Sequence, residues 1–286
     1  MTAAGSSGPS QDRRIPAGKI HLRCREAGSP DGPLLILLHG FPESGRAWGK
    51  LMGPFADNGF HVVAPDLRGY GGSDVPEGRE NYRLDLLVAD IVGLADSLGA
   101  AVFTLAGHDW GGIIAWAVAA RHPDRLTRLV ILNAPHPDTM ASEMRRHPRQ
   151  ALRSLYVGLF QLPVGPELML SAFAYRTLRR ALSETSRPGA FSAIKLDEYV
   201  SEWSAPGRLT AMLNYYRALR LPAGPLGRIP VPTLILWGMQ DRFLGAHLAM
   251  AAAGMCDDAR LVRFDDATHW IHHEEVGRIV AELAHP

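Results

Sequence analysis

The strongest chemical signal in the chain is Gly107-His108-Asp109-Trp110-Gly111-Gly112, set between a short apolar run and a helical pattern. That is the setting of a nucleophile elbow, where flanking glycines permit a sharp strand-to-helix turn that holds the central side chain out. Asp109 stands where such elbows usually carry serine. A carboxylate, with an ordinary pKa of about 3.9, is already ionised at neutral pH and needs no base to activate it. It can displace a leaving group from a saturated carbon and form an alkyl ester with the protein. Asp109 could instead simply cap the following helix, but the partners downstream weigh against that.

Two partners follow in the order nucleophile, acid, histidine. Asp241 closes Trp237-Gly238-Met239-Gln240-Asp241, just after an apolar run, and His269 lies in Asp266-Ala267-Thr268-His269-Trp270. A histidine there can take a proton from water while Asp241 fixes its tautomer and stabilises the imidazolium. Upstream, His39-Gly40-Phe41-Pro42 follows the first central apolar run. The backbone N–H groups of Phe41 and Trp110 would form an oxyanion hole for water attack on an Asp109 ester. His272 and His273, two of 12 histidines, read as exposed residues at a helix start.

These groups need a scaffold. Leu34–Leu38, His61–Ala64, Val102–Ala106, Leu129–Asn133 and Thr233–Trp237 are short apolar runs bounded by turn residues, as expected of strands buried on both faces. Lys19–Arg25 alternates like an edge strand, and Arg260–Phe264 is a last, shorter candidate. Helical periodicity covers Arg83–Leu98, Gly111–His122 and Val276–Ala284. The alternation predicts an α/β fold, a mostly parallel sheet with helices on both faces. From 139 to 219 no strand run occurs. A structureless loop of that length does not fit a compact domain, so 139–219 is expected to be a helical cap over the strand ends, where open α/β sheets bind ligands. The core is then 15–138 and 220–286, the Pro/Gly-rich 221–232 leads back into it, and 1–14 is expected to be a disordered lead-in.

Composition excludes several classes. The 286 residues carry 30 Lys+Arg against 29 Asp+Glu, a net charge of +1, which gives a nucleic-acid partner no basic stripe to bind. It suits an uncharged substrate that needs no steering field. The five residues from Arg145 to Arg149 read as a solvated face, and Leu168, Met169 and Leu170 as apolar filling. No run approaches the roughly 20 apolar residues of a membrane span, and the N-terminus has no signal-peptide pattern. Cys24 and Cys256 suit neither a disulfide framework nor a zinc site; they read as reduced thiols of a cytoplasmic protein. No helical His-x-x-x-His spacing supports a metal, and no cofactor is implied because every reacting group is a side chain.

Taken together, HGFPES, DLRGYGGSD (66–74), GHDWGG, WGMQD and THW resemble the α/β-hydrolase-fold epoxide hydrolases over nearly the whole chain from Ile15. Haloalkane dehalogenases share part of this set. The cap discriminates, because an epoxide leaves as an alkoxide that needs a proton, whereas a halide does not. Ser154-Leu155-Tyr156 with Phe160-Gln161-Leu162-Pro163, and Leu213-Asn214-Tyr215-Tyr216-Arg217, resemble the family's two tyrosine segments. The resemblance implies Tyr156 and Tyr216 as proton donors, with Tyr215 a packing neighbour where the family often has Trp. It further implies conversion of hydrophobic epoxides to vicinal diols, as in detoxification, without cofactor or metal. His39, Pro42, Phe160, Leu162 and Trp270 would line the pocket with Phe41. The expected partners are a small hydrophobic epoxide and water, with the protein a monomer or homodimer. The alternative is a haloalkane dehalogenase using the same Asp-His-Asp triad. Against it, Phe41 stands where those enzymes commonly place Asn, leaving Trp203 as the remaining halide donor. Fluoroacetate-type dehalogenases need arginines where this chain has Trp110 and Ile113. A non-catalytic binding protein on the same fold is the third reading.

Overall fold

The computed structural model describes residues 11–284. Eight strands form one sheet: β1 (Gln11–Ala17), β2 (Ile20–Ala27), β3 (Leu34–Leu38), β4 (His61–Pro65), β5 (Phe103–His108), β6 (Leu126–Leu132), β7 (Thr233–Gly238) and β8 (Ala259–Phe264), in the spatial order β1-β2-β4-β3-β5-β6-β7-β8. β1 pairs antiparallel with β2 and β2 with β4; every other pair is parallel. The central apolar runs therefore behave as expected. In β3 all five residues are buried, Leu34, Ile36 and Leu38 packing into one core and Leu35 and Leu37 into the other. Side chains alternate across a strand, so both faces need cover. The core helices α1 (Gly49–Asp57), α2 (Leu84–Ser97) and α3 (Trp110–Arg121) supply much of it.

Two expectations about the N-terminus are corrected. The predicted lead-in falls partly on residues 1–10, which lie outside the described residues, but 11–14 belong to β1. β2 is consequently the second strand and not the edge. The signal was hard to read because β1 is mostly polar, and among its described side chains Ile15 and Ala17 are the two buried in the core.

From 137 to 218 the chain is helical: α4 (Pro137–Arg146), α5 (Pro148–Arg153), α6 (Leu155–Leu159), α7 (Gly165–Ser183), α8 (Ala193–Trp203) and α9 (Arg208–Ala218). Residues 172–175 leave the helical conformation and kink α7. Leu170 is buried as apolar filling, whereas Leu168 faces out, 66 % exposed. Asp138, in the first turn of α4, accepts hydrogen bonds from the backbone N–H groups of Leu226 and Gly227 at 2.8–3.1 Å. The way out of the sheet and the way back are thus pinned together. The chain ends with α10 (His247–Ala253), α11 (Ile271–Glu274) and α12 (Val276–Ala284).

Candidate active site

Asp109 sits at the junction of β5 and α3 with φ 50° and ψ −120°, a conformation that a side chain with Cβ adopts only at a cost of order 1–3 kcal/mol. The neighbouring backbone fits around it. A Cβ on Gly40 would lie 2.3 Å from that of Asp109, and one on Gly111 would lie 2.2 Å from the Leu38 carbonyl oxygen. Only glycine lets the Phe41 loop and the elbow approach so closely. The result is an amide cradle: Phe41 N donates to Asp109 Oδ1 at 2.8 Å, and the Trp110 N–H also bonds the carboxylate. Burial nevertheless raises the Asp109 pKa, outweighing the nearby His269 and these two amides.

His269, in the turn after β8, points Nδ1 at Asp241 Oδ2 (2.7 Å) and Nε2 toward Asp109 Oδ2 (3.8 Å). Burial alone would depress its pKa; the Asp241 carboxylate, its hydrogen bond and the Asp109 charge together raise it. Asp241 is held as tightly. Its Oδ1 accepts from the Phe243 and Leu244 amides (2.7 and 2.9 Å), and Oδ2 also accepts from Asn133 Nδ2 (2.7 Å). Asn133 escaped the sequence reading. It closes the β6 run with φ 41°, and an amide side chain ending an apolar strand before Ala134-Pro135 was the available signal. From α5, Gln150 bonds the backbone at Phe243 and Gly245, and Arg153 bonds the Asp241 carbonyl.

Tyr156 (α6) and Tyr216 (α9) converge on Asp109 from the helical segment, their rings 5.9 Å apart at 76°. Burial pushes both phenols above their ordinary pKa, and the Asp109 charge adds to it; both are protonated donors at neutral pH. Tyr215 points away and donates to the Arg68 carbonyl at 2.9 Å, a packing role as read. Two apolar cavities meet at these groups. One of about 210 Å³ is lined by Phe41, Pro42, Phe160, His269 and Trp270; the other, of about 390 Å³, by Trp110, Met140, Met144 and Leu244. Asp109, Tyr156 and Tyr216 belong to both walls.

Four sequence expectations need correction. His39 is not a pocket residue: it is fully buried, its Nδ1 bonded to the Gly40 carbonyl and its Nε2 accepting from Leu67 N–H, so it shapes the loop behind Phe41. Leu162 is 53 % exposed and lines neither cavity, because the turn after α6 carries it outward. His272 and His273 are buried rather than exposed: their Nε2 atoms bond Glu43 Oε2 and Oε1 at 2.8 and 2.7 Å. Trp203 spends its indole N–H on the Pro42 carbonyl at 2.6 Å, leaving none for a halide.

A family model described as alpha/beta hydrolase fold matches residues 33–276. The chain is 44 % identical over 260 residues to the AB hydrolase superfamily protein YfhM of Bacillus subtilis, covering 90 % of each. It is 37 % identical to epoxide hydrolase 4 of Homo sapiens, covering 92 % of this chain and 74 % of that one. The chain belongs to the α/β-hydrolase-fold epoxide hydrolases. Within this epoxide hydrolase family, the crystal structure of epoxide hydrolase A from Mycobacterium thermoresistibile superposes with a TM-score of 0.84 at 30 % identity, over 96 % of this chain and 97 % of that one. Among the described residues no helix is long and apolar enough to cross a membrane.

Proposed function

We propose that this chain hydrolyses hydrophobic epoxides to vicinal diols in two steps, without a cofactor. The single observation that carries this reading is the convergence of two protonated tyrosines, one buried and one half-buried, on the carboxylate that faces both apolar cavities. In the first step an Asp109 oxygen attacks an epoxide carbon. The carbon–oxygen bond breaks, and Tyr156 or Tyr216 gives its proton to the departing oxygen while the other donates a hydrogen bond. In the second, His269 Nε2 takes a proton from water and the resulting hydroxide attacks the ester carbonyl carbon of Asp109. The developing oxyanion is held by the Phe41 and Trp110 amides. Collapse of that intermediate breaks the bond to the diol oxygen, the proton of the added hydroxyl passes to that oxygen as Asp109 returns to its carboxylate, and the imidazolium proton restores the tyrosine. Asp241 keeps Nε2 of His269 as the accepting nitrogen throughout.

The residues 139–219 act in this reading as a cap that brings the proton donors to the core's nucleophile. A halide would need N–H donors in place of the phenols, and Trp203 has none to offer. Single turnover of a styrene-type epoxide in oxygen-18 water tests the route: the first diol should carry unlabelled oxygen from Asp109. Immediate label in the diol would sink the covalent step. Replacing both tyrosines by Phe should slow epoxide opening by at least about 10²-fold; halide release from haloalkanes alongside unchanged epoxide inactivity would favour the dehalogenase.

A further inference from the structure

Among the described residues two groups combine one glutamate with two histidines whose ligating atoms lie within 4.8 Å of one another: Glu43-His272-His273 and Glu143-His147-His247. They differ in what those atoms already do. In the first, both Nε2 atoms bond the Glu43 carboxylate, Tyr199 donates to its Oε1 at 2.8 Å, and the Lys195 ammonium sits 3.0 Å from His273 Nδ1. In that set both Glu43 oxygens and both Nε2 atoms are already spent on one another, and the one nitrogen without a partner, His272 Nδ1, is turned away from the carboxylate.

In the other group one ligating nitrogen, His247 Nε2, has no partner. Glu143 and His147 stand at i and i+4 where α4 ends, and so share one face of the helix. Arg146 takes Glu143 Oε1 (3.1 Å), while Oε2 lies 3.4 Å from His147 Nε2. His247 comes from the core, as the first residue of α10, and its ring packs on that of His147 with centroids 3.8 Å apart. His247 Nε2 is buried without a hydrogen-bond partner. A ring nitrogen kept from both water and donor is costly as it stands. It is also the state of imidazole that ligates a metal.

We propose that Glu143, His147 and His247 bind one divalent transition-metal ion of the zinc class and that this ion staples the helical segment to the core. Two imidazoles and a carboxylate are a donor set zinc accepts, with a fourth position left to solvent. Bonds of about 2.0–2.2 Å place tetrahedral ligand atoms roughly 3.3–3.5 Å apart. The Glu143–His147 pair already has that spacing, and the half-exposed His147 gives an entry path. Arg146 on the other carboxylate oxygen would orient Glu143 from outside the ligand set. The ion would sit at a chosen place: Met140 and Met144 of α4 and Leu244, three residues before His247, line the larger cavity. A bound metal would hold those two walls of one arm of the site together.

The test is zinc titration of the purified, metal-stripped full chain by calorimetry, with thermal unfolding followed in parallel. Wild type should bind one equivalent and unfold at higher temperature with zinc. His247→Ala and His147→Ala should each weaken that equivalent by at least about tenfold and remove the thermal gain. Hydrogen exchange should show α4 amides newly protected by zinc in wild type alone. No wild-type equivalent, or one that both variants keep with unchanged affinity, would overturn the proposal. None of these readouts depends on epoxide turnover, so the outcome is independent of the function proposed above.

Discussion

Within five residues the chain places two kinds of buried histidine. His269 and the pair His272–His273 each face a buried carboxylate, Asp241 and Glu43, at 2.7–2.8 Å. In His269 the carboxylate holds Nδ1, so Nε2 remains free beside Asp109, 3.8 Å from its oxygen. In the pair the carboxylate holds Nε2, the nitrogen farther out on the ring. His273 Nδ1 faces Lys195, and His272 packs its ring against Trp48 and His108. One arrangement leaves a nitrogen over a cavity, the other closes a junction. Burial and an acid partner are therefore not what marks a working histidine. What its second nitrogen faces decides.

The comparison can be broken by substitution. His269→Gln should produce the largest effect, cutting turnover by about 10³-fold or more and letting the Asp109 ester accumulate, visible by intact-protein mass spectrometry. Its fold should hold, because Asp241 keeps the Phe243, Leu244 and Asn133 donors. Loss of cooperative unfolding in this variant would erase the distinction. Glu43→Gln should do the reverse. It sets an amide N–H against donors from two histidines or Tyr199, and leaving buried donors unpaired at a formerly charged acceptor costs about 3 kcal/mol or more, measurable by urea denaturation.

His273→Asn sharpens the contrast at smaller scale. Removing one buried partner of Glu43 should cost about 1–3 kcal/mol, while single-turnover ester formation in the folded protein stays within about twofold of wild type. A large loss of that rate would give His273 a role in the chemistry. The smallest effect is a displacement in pH. The water-activating step needs neutral His269, and its pKa is raised. That step should therefore fail, as pH falls, at a midpoint above the ordinary histidine value of about 6.5. Ester formation needs ionised Asp109, whose pKa is raised from the carboxylate range, and should fail at a separate midpoint. In the ester Asp109 carries no charge, so the His269 midpoint of that half-reaction rests on burial, which lowers it, and on its Asp241 partner, which raises it. Stopped-flow measurement of each half-reaction across pH checks this; a shared midpoint would mean that one group limits both.

The sheet was legible because its central strands are continuous apolar runs, and LLILL can hardly be anything but doubly covered. Polar edges are harder: among the described side chains of β1 only Ile15 and Ala17 are buried, too few to show a period among QDRRIPA. The site was legible where chemistry demands a residue type at a turn, as at Asp109, Asp241 and His269. It was illegible where a role depends on distant partners. Nothing near His272 or His273 announces Glu43, more than 220 positions away. Nothing beside His39 tells that both its nitrogens serve the backbone. Asn133 is the intermediate case, visible as an oddity yet assignable only once β7 lies beside it.

Asp138 has a consequence of another kind. Its carboxylate joins points 88 positions apart in sequence, so the whole helical excursion begins and ends at a single spot on the core. A segment tied off in this way can be exchanged without rerouting the chain beneath it. The helices between those two points can therefore change in length and shape while the sheet and the residues at its strand ends stay as they are.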